Sequence, residues 1–254
     1  MSINIEKSFK FIFADPDWHK KMGILAIMFS ITSLISYIKN PCLAFMLAIT
    51  GMAVSCIYQG YFLQSAQNEI KSKSEILPAW EDIGSYFITG VAFLFASFLY
   101  FLPIFLLSIP LVVAGISYAA SLANKGGVAP SSVDFSAFGP VAVLLGLAAV
   151  GILLILLLIM PFITMSFAEN FRFKDAFNLK KILGAIFNNF ADYLVSAVLA
   201  FGMLILLSII LGIFQKSIIM VILTAILAPY YNLVVINLFA QTYKQSLPIA
   251  VQSD

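Results

Sequence analysis

Six apolar runs divide the chain, at about 22–38, 42–63, 87–112, 139–165, 192–213 and 217–240. At 1.5 Å rise per residue, helices of roughly 20 residues cross a hydrocarbon core of ~30 Å. Three polar segments between the runs keep helical periodicity. In 2–14, Ile5, Phe9, Ile12 and Phe13 lie opposite Lys7 and Lys10. From Pro78, a helix is predicted with Trp80, Ile83 and Phe87 on its apolar side and Glu81, Asp82 and Ser85 toward water. In 169–190, Lys174, Asn178 and Lys181 form a polar stripe beside Phe173, Phe177, Ile182 and Ile186. Such patterns suit helices lying in the headgroup region. Asp15-Pro16-Asp17 has the residue types of a helix start, with Asp15 as cap and Pro16 at the first position. Trp18 and Trp80 are expected to act as interfacial anchors. The predicted fold is therefore all-α: one membrane domain over 1–254, with six transmembrane helices and three interfacial amphipathic helices.

The elements fall into three units of an amphipathic helix followed by a hairpin, at about 1–70, 71–170 and 171–254. The returning spans end in Ala66-Gln67-Asn68, Ala168-Glu169-Asn170 and Ala240-Gln241-Thr242. A shared threefold plan and a coincidence of short matches are the two readings. Short turns are expected at Lys39-Asn40-Pro41 and Gln215-Lys216, and one long loop over 114–138, containing Gly126-Gly127 and Ser131-Ser132. Gly51 and Ser55 offer a small-residue face for helix contact.

Composition agrees with lipid as solvent: 62% of the 254 residues are hydrophobic and 10% charged, against about 25% charged in a soluble domain. A net charge of +2 and a single arginine, Arg172, argue against nucleic acid as a partner. With both termini on one side, that side collects Lys7, Lys10, Lys20, Lys21, Lys71, Lys73, Arg172, Lys174, Lys180, Lys181 and Lys244. The other side holds Lys39, Lys125 and Lys216, so the termini are expected in the cytoplasm. Cys42 and Cys56 on one helix would stand roughly 21 Å apart, beyond disulfide reach.

Phe9 and Asp15-Pro16-Asp17-Trp18 ahead of the first span, Gly60-Tyr61 in the second, and Leu77-Pro78-Ala79-Trp80-Glu81-Asp82 followed by Gly90 form a set. It resembles the bacterial and archaeal membrane family called domain of unknown function 4013. The likeness is specific in residues 1–95. It departs at Ala79, where the family usually carries an acidic residue. The resemblance implies a small prokaryotic multi-pass protein of the cell membrane, with no assigned activity and no functional residues to carry over.

Candidate chemistry is sparse. The sole histidine, His19, stands beside Trp18 and Lys20 as a solvated juxtamembrane residue, so no metal or other cofactor is expected. Cys56 reads as a packing thiol. The glycines form no phosphate loop. None of the twelve acids falls at a span centre; Asp192 and Glu169 lie near span ends. Glu169 reads either as a snorkelling cap or as part of a functional polar cluster. Asn232 and Asn237 in the sixth span must find partners if they face lipid depth, and Gln59 adds polar content to the second. With Glu169, they are candidates for interhelical contacts or for a polar cavity. The expected function is a non-enzymatic structural, assembly or partner-docking component in contact with the bilayer and with a membrane protein or a second copy. The alternative is a transporter or lipid-handling protein with a cavity among spans two, four and six.

Overall fold

The computed structural model describes residues 3–34, 38, 40–73, 75–124, 139–214 and 217–247. Its regular elements there are helices: α1 Ile5–Lys10, α2 Trp18–Leu34, α3 Pro41–Ile70, α4 Ile83–Asn124, α5 Gly139–Asn170, α6 Phe173–Ala176, α7 Leu179–Asn188, α8 Phe190–Ile213 and α9 Ile218–Ser246. A 3₁₀ turn, Phe11–Ala14, follows α1. Lys39, Lys125, Gln215, Lys216, Gly126-Gly127 and Ser131-Ser132 lie outside the described residues.

Local chemistry starts these helices. Asn4 accepts from Lys7 N at 2.8 Å, Asn40 from Cys42 N at 3.0 Å ahead of Pro41, and Ser217 from Ile219 N at 3.2 Å. The helix expected from Pro78 begins at Ile83 instead, with Asp82 accepting from Ser85 N at 3.0 Å. Residues 78–82 are irregular with a turn at Trp80-Glu81, because Leu77 and Trp80 are held by tertiary contacts described below. Helix also replaces the expected loop over 114–124. The segment 169–190 divides into the short α6 and α7, since Asn178 caps a fresh start at Lys181 N.

Five helical stretches are long and apolar enough to cross a membrane: Pro41–Ile70, Ile83–Pro110, Val143–Asn170, Phe190–Ile213 and Ile219–Ser246. Ile27, Phe45, Met46, Leu154, Phe201 and Ile222 are all more than half exposed, a surface that suits lipid. The protein is a multi-pass membrane protein. Pro103, Pro110, Pro161 and Pro229 sit inside helices, which membrane helices tolerate when neighbouring groups re-satisfy the backbone.

The chain forms two compact units, residues 95–160 and the remainder, 1–94 with 161–254. In 95–160, Phe98 stacks on Phe105 at 5.8 Å, and Ser108 Oγ donates back to the Phe105 carbonyl at 2.7 Å. In the larger unit, α9 is the hub, packing against α1, α2, α3, α7 and α8. It is also the most enclosed span, with 33% of its apolar window buried against 6–17% in the other four. Leu233, Val234 and Leu238 of α9 meet Leu25, Phe62 and Tyr61 in the core.

A direct backbone approach joins α3 to α4. A Cβ on Gly60 would lie 1.9 Å from the Tyr86 carbonyl oxygen, and one on Gly90 would lie 1.9 Å from that of Cys56. The two contacts are reciprocal, each glycine lying four residues from the residue that the other touches. Only hydrogen fits there, so two backbones meet directly. Gly60→Ala or Gly90→Ala is therefore expected to destabilise the protein by about 3 kcal/mol through overpacking. Gly23→Ala and Gly202→Ala, with nothing within 4 Å, should be neutral or slightly stabilising. Denaturant midpoints in mild detergent check this contrast; equal effects at all four positions contradict it.

Candidate functional site

The apolar spans of α3, α5 and α9 each continue as helix into a polar last turn, where the larger unit gathers its buried polar side chains. Gln67, Glu169 and Gln241 are 6–7% exposed, and the preceding Ala66, Ala168 and Ala240 are fully buried. Burial of amides and carboxylates is tolerable only with hydrogen-bond partners. The three helix ends find them in one another and in α1 and α7.

At α9, Gln241 Nε2 donates to Ser8 Oγ at 2.8 Å and to Asn237 Oδ1 at 2.7 Å, while Asn4 N donates to Gln241 Oε1 at 3.0 Å. Ser8 Oγ donates to Asn237 Oδ1 at 2.9 Å. Asn237 Nδ2 reaches Glu69 Oε2 at 3.3 Å, and Lys7 Nζ lies 2.6 Å from Glu69 Oε1. The network joins α1, α3 and α9. At α5, Glu169 Oε2 accepts from Tyr243 OH at 2.8 Å and from Lys181 Nζ at 2.5 Å, while the Glu169 carbonyl accepts from Gln67 Nε2 at 3.2 Å. This second network joins α3, α5, α7 and α9. Ser72 and Phe171, with φ of 52° and 53°, turn the chain out of α3 and α5 in the left-handed conformation.

The third node ties the 75–82 segment down. Asp15, 4% exposed, accepts from Asp17 N through Oδ1 at 2.9 Å. Through Oδ2 it accepts from Lys21 Nζ at 2.8 Å and from Leu77 N at 3.2 Å. Lys21 Nζ also donates to the Leu77 carbonyl at 2.8 Å. Beyond it, the Trp80 ring lies on Tyr61 at 4.2 Å and 8°, and meets Tyr86 edge-on at 5.9 Å. Tyr86 OH donates to the Ala79 carbonyl. By contrast, Glu6–Lys10 and Asp17–Lys20 are exposed pairs. The hydrogen-bonded lysine in each holds the carboxyl below its ordinary range, and exposed pairs of this kind add little stability.

The candidate residues thus have separate placements. Trp18, 37% exposed, meets Phe13 edge-on at 5.1 Å and lines an apolar groove with Met22 and Tyr230. Trp80 packs against protein rings. Gln59 is half-buried. Asn232 donates to its own helix at the Ala228 carbonyl, 2.8 Å away. Glu169 and Asn237 enter the buried networks. Asn237 also lines a cavity of 290 Å³ together with Lys7, Phe11, Asn68, Glu69, Lys73 and Ile76. Sequence reasoning passed over Ser8, Glu69, Gln241 and Tyr243 as partners; the signal for Gln241 was its middle position in the third end-triplet. Among the described residues, no three of His, Cys, Asp and Glu are grouped so as to hold a metal ion.

Two-thirds of the chain, residues 42–215, matches the family described as Protein of unknown function (DUF4013). The protein belongs to that family. No curated protein and no solved structure matches it. The matched region contains Gly60, Tyr61, Trp80 and Gly90, all brought together at the α3–α4 crossing and the ring stack.

Two outcomes follow. Asp15→Asn should destabilise the protein by about 3 kcal/mol, since it strands Lys21 with 17% side-chain exposure. Adding Lys21→Met should recover part of that loss, and Glu6→Gln should leave the denaturant midpoint unchanged. On a Trp18→Phe background, Trp80 should emit at short wavelength and resist acrylamide. Water-like emission contradicts the ring stack.

Proposed function

We propose that the protein is a non-enzymatic component of a prokaryotic cell membrane that docks a membrane-protein partner or a second copy through a cytoplasmic collar. In this reading the chain crosses six times, α2 and the residues after it supplying the first crossing, with both termini in the cytoplasm. The collar consists of α1 with its 3₁₀ turn, the 75–82 segment, and α6 with α7. These are the interfacial members of three units of a threefold plan, with Trp18 and Trp80 at headgroup depth.

One observation carries the reading: the basic residues and the buried polar groups share one end of the larger unit. Lys7 bonds Glu69, Lys73 bonds Gln67, Lys181 bonds Glu169, and Lys244 bonds Ser72. These contacts bring α1, α7 and the ends of α3, α5 and α9 to a common level. Positive charge marks the cytoplasmic side of a membrane protein. Polar side chains there bond one another across elements, the arrangement of a rigid platform. The lipid-handling alternative draws support from the cavity beside Asn237, while Asn232 bonds its own helix and lends a midplane cavity none.

Single-cysteine labelling tests the topology. With Cys42→Ser and Cys56→Ser, cysteine at Lys7, Lys174 or Lys244 should react with an impermeant reagent only from the cytoplasmic side, and cysteine at Lys216 only from outside. The same side for Lys7 and Lys216 sinks the six-span reading. Crosslinking from Lys174 in native membranes should yield a discrete protein adduct; lipid adducts alone would sink docking.

A further inference from the structure

We propose that the groove between α2 and α9 holds one acyl chain of a membrane phospholipid as a fixed, one-to-one ligand. The head end of the lipid lies at Trp18 and the tail points toward Ala26. That direction rests on the reading above that α2 crosses the membrane; occupancy of the groove does not.

Three observations converge on the groove. The first is its chemistry. It encloses 390 Å³, within the ~300–1,000 Å³ of ligand pockets. Its α2 side is low: a Cβ on Gly23 would meet nothing within 4 Å, and Ala26 follows one turn on. Ile226 and Leu227 of α9 line the other side. Phe13, Trp18 and Tyr230 close one end, with the Phe13 ring 5.1 Å from Trp18 and 6.1 Å from Tyr230. No charged residue is in the lining, and the Tyr230 hydroxyl already donates to the Phe9 carbonyl at 3.1 Å. A polar ligand finds nothing there to bond.

The second is size. Trp18 and Ala26 lie about 12 Å apart along α2 at 1.5 Å rise per residue, so 390 Å³ over that length averages about 33 Å² in section. A helix of a partner or of a second copy is ~10–12 Å across, about 95 Å² in section, and would stand mostly outside the groove. An extended hydrocarbon chain, one carbon wide, lies within it.

The third is placement. Ile27 adjoins Ala26, and Ile222 lies one turn from Ile226; both are more than half exposed and belong to the apolar surface that suits lipid. The Trp18 end adjoins Asp17, His19 and Lys20, all exposed. The groove thus runs from the polar start of α2 into the lipid-facing surface, the order in which a phospholipid presents head and tail. In lipid, packing rather than hydrophobicity holds apolar groups together, and atoms with no partner on one side forfeit dispersion contacts. A chain seated here touches α2, α9 and the 3₁₀ turn at once, which a chain lying on a convex helix does not. That difference separates a held chain from bulk lipid.

The test uses the full chain, purified in a maltoside detergent and titrated with lysophosphatidylglycerol brominated on its chain. Trp18 emission should fall and saturate at one equivalent, while Trp80, stacked on Tyr61, supplies a constant background. Unlabelled phosphatidylglycerol should compete, and glycerophosphoglycerol, the head group without chains, should not. Native mass spectrometry should show one retained phospholipid per chain. Gly23→Phe occupies the groove and should weaken binding about tenfold or more through lost packing. Gly202→Phe, at an equally open position on α8, should leave binding unchanged. Denaturant midpoints check that both variants fold, and the wild-type competition decides the question if Gly23→Phe does not. Quenching that rises without saturating overturns the proposal, as does competition by the head group alone or equal affinity in the two variants. A lipid-free dimer that Gly23→Phe dissociates overturns it in favour of a second copy, and retained free fatty acid overturns the phospholipid source. Cytoplasmic Lys7 and external Lys216 without a retained lipid overturn this inference alone; a retained lipid with both lysines on one side overturns the six-span reading alone.

Discussion

A buried carboxylate, Asp15, governs the packing around the start of α2 in the larger unit. Removing a carboxylate from water is costly unless its oxygens are paired and hydrogen-bonded. Asp15 meets that condition by reaching 62 residues along the chain to Leu77 N while pairing with Lys21. The segment after α3 is thereby tied to the start of α2. With Leu77 fixed, Trp80 comes to rest on Tyr61 and Tyr86 returns its hydroxyl to Ala79. The chain then enters α4 close enough to α3 for Gly60 and Gly90 to meet opposing backbone. Each contact narrows the geometry available to the next.

The same principle repeats at the other helix ends, with different chemistry. Gln67, Glu169 and Gln241 are buried where their helices leave the apolar run, and each is satisfied by a group from another element. Low dielectric makes these bonds worth more and their loss more costly. Apolar side chains in lipid gain nothing from associating by hydrophobicity alone. The polar ends and the glycine crossing therefore specify which helix stands beside which, around an α9 that packs against α1, α2, α3, α7 and α8.

Much of this was legible in the chain. Long apolar runs are self-announcing, since no aqueous structure hides them, and five of the six map onto helices long enough to cross a membrane; the run at about 22–38 overlaps the 17-residue α2 instead. The family was legible too, because Gly60, Tyr61, Trp80 and Gly90 are residue types that few substitutes replace at a close crossing and a ring stack. Partnership was harder to read. Asp15 next to a proline looks like a local cap, and Oδ1 does bond Asp17 N, but nothing in sequence says that Oδ2 reaches Leu77. Pro78 looked like a helix start; the bonds at Leu77 and the Trp80 stack hold that stretch as a turn until Ile83. Asn232 and Asn237 looked alike, five residues apart on one helix. Only folding separates them, one bonding Ala228 of its own helix and the other Ser8 and Glu69.

Backbone amide exchange across residues 76–82, in the wild-type protein and in Asp15→Asn, tests the clamp most directly. The account predicts strong protection at Leu77 N in the wild type and its loss in the variant, spreading to Trp80 as the ring stack opens. Rapid exchange at Leu77 in the wild type, or unchanged protection in Asp15→Asn, would contradict it.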